Sequence, residues 1–422
     1  MRTSHIVAVT MGNALEFYDF LIYATFAIYI GRAYFPTHDP VASLLFSLAT
    51  FGIGFVTRPI GGMVLGRLGD VIGRKPSLLI SFSLMAVGLL GIAVTPTYAQ
   101  IGIAAPIIVI AARLVQGFAL GGEVGPSTAF LVEGAAGPRR GLVGGMQNAS
   151  QGLAILCASG VAVLISYTMP QAALEQWGWR LAFLVGLVIV PFGLIVRRNL
   201  PETAPHPLRT QATGERQRVP WRLVLMGGML ITSGTICSYI GNYMTTYALD
   251  TLHLPARTAF TVGIVNGLCA VVFVPIGGWL SDRYGRRVVM LPAMVFGLVV
   301  GLPSMALLLA HPSGFMLNAV MASWAIPSAV GAAAMMVSIT ESFPPRMRCM
   351  AVGTIYALAV AFFGGTTQFV LAGLLHLTGD PMVLGYYRMV ALAIGLVAVL
   401  NMTESAPVKI GSAEPGARLA PA

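Results

Sequence analysis

Twelve runs of about twenty mostly apolar residues follow one another along this 422-residue chain. At ~1.5 Å per residue, a helix of that length crosses the hydrocarbon core of a bilayer. The runs are 6–32, 41–65, 76–96, 101–132, 141–168, 179–199, 221–249, 258–280, 288–310, 315–340, 350–376 and 384–402. A spanning segment finds no water to satisfy its backbone, so each run is expected to be an α-helix. Charged residues make up only 9% of the chain, against about a quarter in soluble proteins. They are too few to wet the surface of a soluble fold. The chain therefore reads as an all-α polytopic membrane protein. A disulfide scaffold, a disordered chain and a nucleic-acid binder are excluded on the same ground. Cys157, Cys237, Cys269 and Cys349 form no CxxC pair and read as buried thiols packing as small hydrophobes. The first run is too long for a cleavable signal and carries Glu16 and Asp19.

One long break, rich in Pro, Arg and polar residues, separates six runs from six. The expected organisation is a six-helix bundle over 1–199, a cytoplasmic loop over 200–219 and a second bundle over 220–404. A disordered cytoplasmic tail is expected over 405–422. The net charge of +10 reports orientation rather than a nucleic-acid partner. With the N-terminus inside, 19 of the 25 Lys and Arg fall on inner segments and two, Arg58 and Arg113, within spans. Only Arg32, Arg180, Arg257 and Arg388 fall outside. That asymmetry places both termini in the cytoplasm.

The halves repeat. Gly66–Lys75 reads GRLGDVIGRK after span 2, and Gly278–Arg287 reads GWLSDRYGRR after span 8; Asp70 and Asp282 are 212 residues apart. Glu133 with Arg139 and Arg140 follows span 4, and Glu341 with Arg346 and Arg348 follows span 10, at an offset of 208. Such duplication is how transporters build two gates around one central site. Asp70 and Asp282 can pair with cations or cap a neighbouring helix N-terminus. The expected gate residues are Asp70, Arg74, Glu133, Arg140, Asp282, Arg286, Glu341 and Arg348.

The Asp70 loop and its copy resemble the loop motif of the major facilitator superfamily, and Arg113-Leu-Val-Gln116-Gly117 resembles its fourth-helix motif. More narrowly, Gly12-Asn13 with Glu16 and Asp19-Phe20, then Gln116-Gly117-Phe118 running to Gly121-Gly122-Glu123, resemble the metabolite:proton symporters. Within that group the chain is most similar to the citrate and tricarballylate–proton symporters. Gln147-Asn148-Ala149-Ser150-Gln151, Trp177-Gly178-Trp179-Arg180 and Phe363-Gly364-Gly365 add support, as do Pro275-Ile276-Gly277-Gly278 and Leu377-Thr378-Gly379-Asp380. Span 11 departs from the family pattern: Thr366-Thr367-Gln368 stands where a proline is expected. The resemblance implies twelve helices in two pseudo-symmetric halves. It also implies uptake of a small organic anion, citrate or a related di- or tricarboxylate, with protons by alternating access. Such a protein is expected to work as a monomer in the inner (plasma) membrane, with no cofactor and no metal. Uptake of a zwitterionic osmolyte, an oxo acid or an aromatic acid is the alternative, as is efflux on the same fold.

Charges inside a membrane are costly and mark function. Glu16 and Asp19 share a face of span 1 at i,i+3, and Arg113 lies near the middle of span 4. Glu123 is ten residues further, ~15 Å toward the cytoplasm. No basic residue of the second half is expected at comparable depth. One deep cation cannot neutralise three acids, so at least one acid should be protonated or paired with a transported cation. Glu16 or Asp19 is the expected proton-sensitive group, Glu123 the next candidate. Arg113 is either their partner or the ligand of an anionic substrate. In span 7, Tyr239, Asn242, Tyr243 and Thr246 fall at i, i+3, i+4 and i+7. With Gln147 and Gln151 of span 5, and with Asn13 and Gln116 of the motifs, Tyr239, Asn242 and Tyr243 form the expected substrate contacts. Trp324, Met335 and Met336 read as packing residues. The chain has no G-x-x-x-x-G-K-[ST] loop, no HExxH and no nucleophile–base constellation, so an ATPase or an enzyme is not expected.

Overall fold

The computed structural model describes residues 3–72, 74–121, 139–198, 221–343 and 345–410, together with Leu131 and Ala135. All twelve expected runs fall on helix among these residues. Span 1 is α1 (Thr3–Thr25) and α2 (Ala27–Tyr34), broken at Phe26; span 2 is α3 (Pro40–Val56) and α4 (Arg58–Ile72). Spans 3 to 6 are α5 (Arg74–Val94), α6 (Ala104–Leu120), α7 (Arg140–Thr168) and α8 (Trp179–Arg198). Spans 7 to 10 are α9 (Trp221–Asp250), α10 (Ala256–Tyr284), α11 (Arg286–Ala310) and α12 (Gly314–Ser342). Span 11 is α13 (Pro345–Ala359), a π-helical turn over Val360–Gly364 and α14 (Gly365–Thr378); span 12 is α15 (Val383–Asn401). Eight helical stretches among the described residues, α3–α4 and α13–α14 counting as one each, are long and apolar enough to cross a membrane, and the bent α1–α2 pair makes a ninth.

The two halves meet along equivalent seams. α7 of the first half lies against α10 of the second, α3 lies against α14, and α1 against α9. Small residues set the spacing. A Cβ on Gly267 would sit 2.5 Å from the Leu156 nitrogen and 2.7 Å from the Gly152 carbonyl oxygen. A Cβ on Gly365 would sit 3.0 Å from the Gly52 carbonyl oxygen. Backbone can approach backbone this closely only where no side chain intervenes. At the end bearing the repeated loops, Gly285 takes φ 111°, a value glycine adopts freely, and turns α10 into α11.

The fourth span, expected over 101–132, is described as helix over Ala104–Leu120 and again at Leu131, and 122–130 lie outside the described residues. Two expectations are corrected. The tail is not disordered from its start: Ser405 and Ala406 are buried and Pro407–Ile410 is a helical turn. It is held because the Glu404 carboxylate accepts from the Arg286 and Arg287 backbone N–H at 2.9 and 3.0 Å, capping α11. Cys157 is exposed rather than buried, because its run has one face turned away from the protein. Residues 200–219 and 411–422 lie outside the described residues.

Candidate transport site

In the first half, three side chains form a line. Arg113 and Gln116 are one turn apart on α6, so both reach the same neighbour, α1. Arg113 Nη1 donates to Gln116 Oε1 at 2.8 Å, and Gln116 Nε2 donates to Asp19 Oδ2 at 2.8 Å. All three are buried, at 1%, 1% and 4% exposure for Arg113, Gln116 and Asp19. Asp19 Oδ1 has no hydrogen-bond partner among the described residues. The Arg113 charge is otherwise met by the Phe51 carbonyl at 3.4 Å and by the faces of Phe20 and Tyr23, 4.9 and 4.6 Å away.

Arg58 extends this arrangement. It stands at the start of α4, where the break after Val56 brings its guanidinium over the rings of Phe55 and Phe20, 4.0 and 4.7 Å off. Tyr239 of α9 reaches it from the second half. Phe20, Phe51, Phe55 and Tyr239 contact one another at centroid distances of 4.5 to 6.5 Å. Of these rings, Phe20 and Tyr239 line the central cavity, whereas Arg58 and Arg113 do not.

The cavity measures about 210 Å³ and lies between the halves, largely within the second. Gln151, Tyr239 and Asn242 line it as the sequence leads one to expect. The other expected contacts are elsewhere. Asn13 donates to Ser150 Oγ at 2.8 Å and to the Gln147 carbonyl at 3.3 Å, so it ties α1 to α7. Tyr243 turns into an apolar cluster with Met244 and Tyr247. Arg113, Gln116 and Gln147 stand behind the cavity wall rather than on it. Glu16 lies on α1 one turn before Asp19, but its side chain is outside the described residues, as is all of Glu123.

Two residues on that wall were read otherwise. Arg388, expected outside the membrane, is 2% exposed on the second turn of α15 and lines the cavity. It corrects the expectation that the second half has no deep cation. Trp324, expected to be packing, carries the Arg388 guanidinium over its ring at 4.7 Å and lines the cavity with Met335 and Met336. The available signal was position: Arg388 follows Val383 by five residues inside an unbroken apolar run. In span 11, the Thr366 and Thr367 hydroxyls return to the Phe362 and Phe363 carbonyls. Gln368 is buried with neither amide atom partnered among the described residues.

The end with the repeated loops carries a second polar cluster. Asp282 accepts from the backbone N–H of Gly141 at 2.7 Å and of Leu142 at 2.9 Å, capping α7 of the opposite half. Its other partner is Arg286 Nη1 at 2.7 Å. Arg286 grips Glu341 with a fork, Nε and Nη2 each 3.2 Å from a carboxylate oxygen. Glu341 also accepts from Ser405 Oγ at 3.0 Å. A buried arginine stands here because both its charge and its donors are met. Arg140 is half-buried beside this capped terminus. The side chains of Asp70, Arg74, Glu133 and Arg348 lie outside the described residues.

The fold and these two clusters can be set beside known proteins. The family model described as Major Facilitator Superfamily matches residues 9–302 and 231–416. The chain belongs to the Major Facilitator Superfamily. It is a multi-pass membrane transporter and not an enzyme. A citrate-proton symporter of Klebsiella pneumoniae is 34% identical, over 98% of this chain and 94% of the relative. An alpha-ketoglutarate permease of Escherichia coli is 32% identical, over 94% of this chain and 92% of the relative. Among solved structures, the inward-open xylose transporter of Escherichia coli aligns with a TM-score of 0.74 at 18% identity. That alignment covers 98% of this chain and 99% of the transporter, and it establishes the two-half, twelve-helix fold of this superfamily member.

Proposed function

We propose that this protein is a proton-coupled symporter that takes up a small organic anion, citrate or a related di- or tricarboxylate, by alternating access. It works as a monomer in the lipid bilayer of the inner membrane, with both termini cytoplasmic. The observation that carries the reading is the Asp19–Gln116–Arg113 line behind the cavity, in a chain 34% identical to a citrate-proton symporter.

The arrangement suits coupling. With Asp19 ionised, its charge offsets that of Arg113 through the shared amide. When Asp19 takes a proton, Arg113 and Arg58 leave the wall behind the cavity positively charged, which favours an anion within the cavity. By linkage, a bound anion favours the proton on Asp19 to the same degree. Proton and anion therefore enter and leave together. Glu16 and Glu123 belong to the same proton-coupling set. Gln151, Tyr239 and Asn242 supply uncharged donors to the substrate oxygens, while Asn13 and Gln147 hold α1 against α7.

In this reading Asp282, Arg286 and Glu341 close the cytoplasmic end by binding the start of α7. Asp70, Arg74, Glu133, Arg140 and Arg348 form the matching latch of the other half. A second reading, uptake of a 2-oxo dicarboxylate, is supported by the relative named an alpha-ketoglutarate permease. Reconstitution into proteoliposomes tests both. With the outside acidic, labelled citrate should accumulate above equilibrium, and an uncoupler should abolish the excess. Counterflow with a panel of di- and tricarboxylates then ranks the substrates. No gradient-dependent uptake of any acid in the panel would refute the proposal.

A further inference from the structure

We infer that Arg388 is the residue that binds the substrate's carboxylate, so that the anion site is built in the second half and not around Arg113. The inference rests on the anion-symport reading above and names the ligand within it.

The charge balance around Arg388 is the first argument. A guanidinium stays charged at any ordinary pH, and burying a charge without a counter-ion is costly. Arg286, equally buried, is met by two carboxylates. Among the described residues Arg388 is met by none: Nη1 donates to the Gly297 carbonyl at 3.0 Å, the Trp324 ring lies beneath the guanidinium, and Nη2 has no partner. A carbonyl and an aromatic face orient a guanidinium without neutralising it. No carboxylate among the described residues meets its charge.

The second argument is placement. Arg388 is the one charged residue among the described residues lining the cavity. Its surroundings are fixed in advance. Trp324 Nε1 donates to Ser304 Oγ at 2.9 Å, which sets the ring, and Gly301 leaves the guanidinium its room, with a Cβ there only 3.4 Å from Nη1. A preorganised fork of this kind matches the two oxygens of a carboxylate. Gln151, Tyr239 and Asn242 on the same cavity wall offer uncharged donors for the rest of a polycarboxylate. Arg113, by contrast, does not line the cavity: its Nη1 and Nη2 are directed to Gln116 and Phe51, its Nε has no partner among the described residues, and its guanidinium packs on the Phe20 ring.

The test measures binding of labelled citrate, tricarballylate and 2-oxoglutarate to the purified full chain and to Arg388→Lys and Arg388→Gln. Proton-driven uptake of the same acids is followed in parallel. Loss of a charge-assisted pair should weaken binding about 10- to 100-fold in Arg388→Gln. Arg388→Lys should recover part of that loss by restoring the charge without the fork. Affinity within twofold of the unaltered protein in Arg388→Gln would overturn the assignment while leaving the symport reading intact. If the unaltered protein takes up no acid of the panel, the symport reading fails and takes the assignment with it. A measurement on the native arginine covers variants that fail to fold. Cys237 lines the same cavity as Arg388. In a protein with Cys157, Cys269 and Cys349 changed to Ser, the best-transported acid should slow maleimide labelling of Cys237 at least fivefold. Labelling unaffected by a saturating acid would count against the site as surely as unchanged affinity.

Discussion

Asp19 and Arg113 are joined through a single amide, with Gln116 accepting from the guanidinium and donating to the carboxylate at 2.8 Å each. The pair interacts without ion-pair contact, and one carboxylate oxygen stays unpartnered among the described residues. Protonation of Asp19 therefore changes the local charge while every hydrogen bond in the line can persist. That distinguishes it from Glu341, whose two oxygens are both held.

Asp19→Asn keeps the shape and the contact from Gln116 but cannot cycle a proton. Accumulation driven by a pH gradient should fall to the equilibrium level, while exchange of labelled for unlabelled substrate persists within about tenfold of normal. Uptake and counterflow in the same proteoliposomes provide the comparison. Gradient-driven accumulation at the normal rate would remove Asp19 from the proton path.

Arg113→Lys should give the opposite profile to changes at Arg388. Arg113 is off the cavity wall, so citrate affinity should change by less than about threefold. Coupling should suffer more, with gradient-driven uptake down about tenfold, because an ammonium cannot both hold Gln116 and reach the Phe51 carbonyl. Equilibrium binding set against uptake separates the two effects.

Asp282→Ala removes the cap from α7. Losing a helix cap costs about 0.5–2 kcal/mol, which shifts a two-state equilibrium roughly 2- to 30-fold toward the form open at that end. Spin labels at the exposed positions Arg139 and Arg283 should report a larger long-distance population. An unchanged distance distribution would deny Asp282 its latch role.

Gly267→Ala should obstruct the α7–α10 seam, because its Cβ would meet backbone atoms of Gly152 and Leu156 that cannot turn aside. Transport should drop about tenfold in a protein that still purifies as a folded species. Gly160→Ala on α7, with nothing within 4 Å of its added Cβ, should transport normally.

A tag fused after Ala422 should be reachable only after the cells are opened, given that 19 of the 25 basic residues fall on inner segments. Labelling in intact cells would reverse the orientation.

The spans were legible because a bilayer demands long apolar runs and little else competes with that signal. The polar cluster around Asp282 was legible in outline, since its loop repeats the sequence of the Asp70 loop. The cavity wall was read in part. Tyr239, Asn242 and Tyr243 share a broad face of α9, and which of them turns inward depends on how α10, α12 and α14 pack around it. Arg388 was misplaced because counting loop charges assigns an arginine near a run's start to the water. Its burial depends on Gly297, Gly301 and Trp324, which come from two other helices and leave no trace in the sequence around it.

The partners of Asp282 across the seam are main-chain N–H groups of Gly141 and Leu142, not side chains. Those donors are the same whatever side chain stands at 141 or 142, so exchanging residues between the two halves cannot restore the contact once the carboxylate is gone. Revertants that rescue a damaged Asp282 must therefore arise elsewhere, at sites that favour the closed end by other means. Their map would chart the residues that set the conformational balance of the transporter.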